Sequence, residues 1–382
     1  MGLTMYECVV GGSTKHQSLQ GQLNGLTGLP ERLPELEYDD ELALNAGQAW
    51  MLKALYPDNE TLAAEIDALE NEVYENRAAR YPDATIPGRS AAYGRAVAEA
   101  IYNWSLTDGG HRGQFARFDF AYEYPRGDGY WTPPLVGQLG VPFPMHPSWK
   151  NNRTFVPANS LIDIPAMLTY SSAENSPYWL QFKEVYDIQK NLTQEQRNIA
   201  AWWADDPTQT ASPPGHSYNL ATICLNKKGA DLYTGAEVYA RTGMAVADAF
   251  INCWKAKYTY HSERPAPFII KFIDPNYQIF WPEPPFPAFS SGHATQSAAA
   301  ATVLTAVFGE NFRVFDTTHE GRPADFPGIV YEPRAFPDIW STAVECAESR
   351  LYGGIHTRQD NEAGQTQGIA VGNNVNNLNW YK

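Results

Sequence analysis

Six side chains and one bare glycine backbone in three short segments share a single chemical capability. The segments are Lys257-x6-Arg264-Pro265, Ser291-Gly292-His293 and Ser349-Arg350-x5-His356-x3-Asp360. They supply one lysine, two arginines, a serine hydroxyl and two imidazoles. A tetrahedral oxyanion such as phosphate or vanadate carries two to three negative charges. It needs several fixed cations and hydrogen-bond donors of this kind around it. Taken singly, each segment has an ordinary reading: two surface cations, a first-turn histidine, a surface His–Asp pair. Their joint occurrence in one chain, in this order, argues against all three.

The local sequence says how each group would be held. Lys257 falls at the end of an alanine-rich helical stretch, and Pro265 keeps Arg264 out of continuing helix. Ser290 or Ser291 can cap a helix that opens at Gly292-His293, where free N–H groups of the first turn face an anion. Ser349-Arg350 ends a further helix and Gly353-Gly354 forces a turn. His356 and Asp360 are then expected one turn apart on the last helix, with the carboxylate fixing the imidazole tautomer.

Apolar periodicity predicts helices over 41–56, 59–79, 88–106, 176–188, 193–203, 216–225, 234–258, 293–308, 337–351 and 357–371. Thr193-x-x-Gln196 reads as a capping box. Alternating strand patterns are nearly absent. The expected class is mainly α, a helical bundle with long ordered loops. Residues 1–35 read as an irregular arm and 36–382 as one helical-bundle domain with the anion motifs inside 257–360. The Gly- and Pro-rich stretch 107–155 reads as a long ordered loop, and 265–290 as a proline-rich connector.

The chain has 382 residues, 43% hydrophobic, with net charge −15. That content supports a real core. The charge argues against nucleic acid as a partner, though a local basic pocket can oppose it. Cys8, Cys224, Cys253 and Cys346 form no CxxC pair, which disfavours zinc, iron–sulfur and disulfide frameworks. His111, His146, His216 and His319 show neither HxH nor HExxH spacing, so a zinc site is not expected from them. No apolar run of membrane-spanning length occurs, and Met1 to Gly12 lacks a signal-peptide pattern.

The three segments resemble the signature shared by type 2 phosphatidic acid phosphatases and vanadium-dependent haloperoxidases. The departure is Ser290, where that signature has proline before Ser-Gly-His. The resemblance implies a vanadate cofactor with His356 as its apical vanadium ligand. Lys257, Arg264, Arg350, Ser291 and the Gly292 N–H would bind its equatorial oxygens. His293 would serve as acid–base, Lys257 would polarise bound hydrogen peroxide, and a halide would be oxidised to hypohalous acid. Asp360 would orient His356. In the phosphatases the same pocket implies His356 as nucleophile and His293 as acid. A soluble acid phosphatase is therefore the alternative.

Further phrases resemble the bacterial haloperoxidase branch: Gly129-Tyr130-Trp131-Thr132-Pro133-Pro134, Trp149-x3-Arg153-Thr154-Phe155 and Pro285-Phe286-Pro287-Ala288-Phe289. Asp206, in Trp203-Ala204-Asp205-Asp206, is similar to an acid that pairs with a vanadate arginine. Phe286 and Trp254 fall where the resemblance implies a halide pocket, and their pattern is closest to an iodoperoxidase. Hydrogen peroxide and halide are then the partners, with iodide first and bromide second. Export to the periplasm or medium is implied by the release of hypohalous acid. The oligomeric state is not legible.

Overall fold

The computed structural model describes residues 1–134, 137–138, 140–324 and 326–382. Among these the fold is helical, with twelve α-helices and one two-stranded ladder. The helices are α1 (Gly2–Val9), α2 (Asp40–Leu55), α3 (Glu60–Ala78), α4 (Thr85–Ser105), α5 (Pro177–Lys190), α6 (Gln194–Trp202), α7 (Ser212–Lys228), α8 (Leu232–Tyr260), α9 (Pro265–Phe272), α10 (Gly292–Phe308), α11 (Ile339–Tyr352) and α12 (Arg358–Asn376). β1 (Val314–Asp316) pairs antiparallel with β2 (Arg334–Phe336). No described helix is long and apolar enough to cross a membrane.

The centre is α8, 29 residues and roughly 43 Å long at 1.5 Å per residue. Asp231 caps its start by accepting from the Thr234 N–H. Buried small residues (Ala236, Ala240, Ala245, Ala249) let α1, α7, α10 and α12 approach it closely. The most extensive pairing is α10 on α12. Gly368 makes it possible, since a Cβ there would sit 2.2 Å from the Thr295 carbonyl oxygen. Gly364 does the same beside Ser291, where a Cβ would lie 2.8 Å from the carbonyl oxygen. These glycines set the distance between the Ser291–His293 and His356–Asp360 segments.

Three expectations need correction. Residues 1–35 are not irregular throughout. Gly2–Val9 is a helix, and Leu3, Tyr6, Leu19, Leu23 and Leu26 share a buried core with Ala240, Met244 and Val371. Eight residues cannot sustain a helix alone, so the pattern is weak locally and the stability comes from packing on α8. The connector at 265–290 opens with the helix α9. Pro265 is its first residue, where the N–H has no intrahelical acceptor, so proline costs no hydrogen bond. Phe268 and Ile269 then bury against α5 residues Tyr178 and Phe182. Finally, His356 is not on the last helix. It precedes Thr357, the N-cap of α12, and Asp360 is the third residue of that helix.

Candidate functional site

The three segments converge on one buried pocket. Lys257 lies one turn before the end of α8, whose negative dipole end suits a cation. Its Nζ is fully buried and donates to the carbonyls of Pro287 (2.8 Å) and Ala288 (2.7 Å). The chain then turns through His261, in the left-handed region at φ 50°, and reaches Arg264, the extended N-cap of α9. This turn is clamped from both sides. The Trp131 N–H donates to the His261 carbonyl (2.7 Å) and the Ala288 N–H to the Ser262 carbonyl (3.1 Å). The long loop at 107–155 therefore acts as structural wrapping for the arginine-bearing turn.

Arg264 Nε donates to the Phe286 carbonyl (3.0 Å) and its Nη1 to the Ile355 carbonyl (2.8 Å). The same Nη1 lies 3.0 Å from His356 Nε2. His356 Nδ1 is 3.0 Å from Asp360 Oδ2, which also accepts from the Thr357 N–H at 3.0 Å. The Asp360 carboxylate thus completes the capping box of α12 and orients the histidine with one group. A carboxylate accepts only, so Nδ1 carries the proton and Nε2 keeps a lone pair. That lone pair accepts from Arg264 Nη1–H in this structure, and it is the one on the ring that could instead bind a metal-centred anion.

Ser291 caps α10, its Oγ accepting from the Ala294 N–H, and its own N–H donates to the Asp360 carbonyl (2.9 Å). This bond ties the starts of α10 and α12 together. Gly292 opens α10 beside Phe250 and Trp254, which a Cβ would meet at 3.6 and 3.7 Å. His293 Nε2 lies 3.2 Å from the Ala204 carbonyl. A carbonyl also only accepts, so Nε2 holds the proton and Nδ1 remains the basic atom. Arg350, buried near the end of α11, donates from Nη1 to the Trp203 carbonyl (3.0 Å).

The electrostatics of the pocket favour a negatively charged ligand. Burial, with Arg264 adding to it, pulls Lys257 down to about 7. Burial pulls Arg264 to about 10, aided by Arg350, and also lowers Arg350. Burial and then the cations Arg264, Lys257 and Arg350 hold His356 well below its usual value, as a neutral imidazole. Burial and Arg350 bring His293 to about 3. Among the described residues, the buried Nε–H of Arg350 has no acceptor. Three buried cations and an orphaned donor fit a multiply charged tetrahedral anion such as vanadate. Vanadate would be held by Lys257, Arg264, Arg350, Ser291, the Gly292 N–H and His356 Nε2.

Above Lys257 stands an aromatic wall. The Lys257 Nζ lies 5.1 Å from the Phe286 ring centre and 5.7 Å from that of Trp254. The two rings are 5.0 Å apart. Tyr122 and Trp149, from the long loop, pack against the same cluster. Tyr122 Oη lies 2.7 Å from His261 Nε2, so His261 serves this wall and not the cage. The buried Nε1–H of Trp254 has no acceptor among the described residues. Asp206 accepts from Trp281 Nε1–H at 3.1 Å and favours the charge on Arg350.

Sequence spacing missed one cluster beside the pocket. His216 and His319, 103 positions apart in the chain, meet Asp205 in the interior. Spacing rules for histidine motifs could not unite residues so far apart. In the sequence, the turn at 203–206 points to Asp206 alone.

Residues 271–380 match the family described as the VCPO second helical-bundle domain. The structure of the first bacterial vanadium-dependent iodoperoxidase superposes with a TM-score of 0.84 at 30% identity, covering 100% of this chain and 89% of that one. The holo and apo forms of a bacterial vanadium-dependent chloroperoxidase share the fold, at TM-scores of 0.74 and 0.72 and 15% identity. Each covers 98% of this chain, with 89% and 91% of those chains matched. No curated protein matches the sequence significantly. The cation cage, the imidazole that keeps a lone pair on Nε2 and this likeness over the whole chain agree, and the chain belongs to the vanadium-dependent haloperoxidases, enzymes that oxidise halide with hydrogen peroxide.

Proposed function

We propose that this enzyme oxidises iodide in preference to bromide and chloride, with the cage residues in the following roles. Vanadate, when bound, supplies the electrophilic centre at which hydrogen peroxide is activated toward halide. His356 Nε2 anchors it, and Asp360 keeps that nitrogen unprotonated. Arg264, Arg350 and Lys257 neutralise its oxygens, with Ser291 and the Gly292 N–H donating alongside. His293 Nδ1 would take a proton from hydrogen peroxide and return one to the water that the reaction forms. Lys257 would place its positive charge beside the peroxide and so favour attack by halide. The net reaction consumes peroxide, halide and one proton and yields hypohalous acid and water.

The observation carrying the iodide preference is the wall beside Lys257. Trp254 and Phe286 present polarisable faces and one unpartnered indole N–H. A large, soft anion gains dispersion there and needs few hydrogen bonds. Iodide is also the easiest halide to oxidise. The 30% identity to an iodoperoxidase supports the same reading. The test compares kcat/KM for the three halides at saturating vanadate and peroxide. Iodide is expected to exceed bromide by at least tenfold, with chloride lowest. Equal or greater bromide turnover would contradict the preference. Hydrolysis of p-nitrophenyl phosphate without any halide oxidation would contradict the residue roles.

A further inference from the structure

The carbonyls that hold His293 and Arg350 both belong to the turn after α6. Trp203 supplies one and Ala204 the other. The next residue, Asp205, is in the left-handed region at φ 50°, an unfavourable state for a side chain with a Cβ. Something must hold it there. Asp205 Oδ2 lies 2.9 Å from His216 Nδ1, and Oδ1 lies 2.9 Å from His319 Nε2. His216 Nε2 lies 2.8 Å from Asp316 Oδ2. Asp316 in turn accepts from Trp202 Nε1–H and the Thr318 N–H, both at 2.9 Å. The His216 ring stacks on Trp203 at 4.4 Å and 10°. All four members are buried.

We propose that this Asp316–His216–Asp205–His319 chain is a positioning device that fixes the tautomer of His293 and the aim of Arg350. It pins both sides of the Asp205 carboxylate, and so fixes the strained turn. The turn then presents the Ala204 carbonyl to His293 Nε2–H and the Trp203 carbonyl to Arg350. With the Ala204 carbonyl in place, Nδ1 of His293 is the free base. If the turn relaxes, that carbonyl moves away and either nitrogen can hold the proton. The inference rests on the assignment of His293 and Arg350 to the anion pocket, and its first readout is independent of halide chemistry.

Asp205, His216 and His319 also offer three potential metal-ligand atoms within 4.8 Å of one another. His216 argues against that use. Both its nitrogens face carboxylates, so both are donors and neither offers a lone pair.

The test uses full-length apo protein labelled with 15N-histidine. Long-range proton–nitrogen correlation reports which nitrogen of His293 is protonated, with His293→Gln assigning the signal. Wild type is expected to show a single Nε2–H form. Asp205→Asn cannot accept on both sides and is expected to give a tautomer mixture. Its orthovanadate affinity by calorimetry is expected to fall about tenfold. His319→Gln keeps a donor at the position of Nε2 and is expected to behave as wild type. His319→Ala, which leaves the His216 contacts in place, carries the test if Asp205→Asn does not fold. A folded Asp205→Asn or His319→Ala with the wild-type tautomer and affinity overturns the proposal. So does a stoichiometric transition metal found in purified wild type by mass spectrometry and lost in Asp205→Asn.

Discussion

Two buried charge clusters lie side by side, and they are built on opposite principles. In the Asp205–His216–Asp316–His319 cluster every charge faces its opposite. Burial would raise Asp205, but His216 and His319 outweigh it and hold the carboxyl well below its usual range. Burial would lower His216, but Asp205 and Asp316 outweigh it and bring it to about 10. In the cage formed by Lys257, Arg264, Arg350 and His356 burial lowers every group, cationic neighbours add to it at Lys257, Arg264 and His356, and the nearby carboxylates Glu283, Asp360, Asp205 and Asp206 only partly offset it. The first cluster is complete as it stands and stabilises the fold. The second gathers cations whose charge the neighbouring carboxylates do not fully offset, the pattern the proposed anion site requires. The difference separates a structural ion network from a ligand site without reference to sequence motifs.

The comparison can be broken most forcefully at the anchor. His356→Ala removes the imidazole lone pair and is expected to abolish vanadate retention through gel filtration. His293→Ala is expected to keep vanadate affinity within about tenfold while kcat falls by roughly 10²–10⁴, the usual scale of a lost acid–base group. Equal loss of binding in both variants would contradict the division of roles. Arg350→Lys keeps the charge but loses the planar fork. It is expected to weaken orthovanadate binding by about 10- to 100-fold, or about 1.5–3 kcal/mol for charge-assisted hydrogen bonds.

Proton linkage sharpens the contrast further. Burial and Arg264 hold Lys257 at about 7, and an anion bound beside it would raise it. Above pH 7 the apo protein must therefore take up a proton to bind. Anion affinity is expected to fall by up to about tenfold per pH unit there, measured by calorimetry in two buffers of different ionisation enthalpy. The paired cluster acts on folding instead. His216 is raised above its unfolded value of about 6.5, so its contribution is full below that pH and is lost as pH rises through about 10. The stability gap between wild type and His216→Gln in urea is expected to narrow over that window, by an amount on the order of a few kcal/mol.

The legibility of the two clusters differs for a physical reason. Cage residues need particular side chains at helix ends, where proline, serine and glycine set the backbone, so Lys257, Arg264, Ser291, Arg350 and His356 carry local signals. The paired cluster has no such signal, because Asp205 and His319 meet only through tertiary packing. The helices show the same division. Long periodic stretches such as α8 are evident from apolar spacing, and of the two serines the sequence offers as a cap, Ser290 and Ser291, the structure uses Ser291. The short helices α1 and α9 are not evident, since their stability comes from neighbours. His356 also illustrates how a spacing of four can mislead. The same separation arises from a residue before the N-cap and the third residue of the helix.

The most direct measurement is an orthovanadate titration of the apo protein, with peroxide-dependent triiodide formation followed at each addition. Activity is expected to be absent at the start, to rise linearly and to saturate at one vanadate per chain, with inorganic phosphate competing. Full iodide oxidation before any vanadate is added, or tight vanadate binding that brings no oxidation of any halide, would contradict the account.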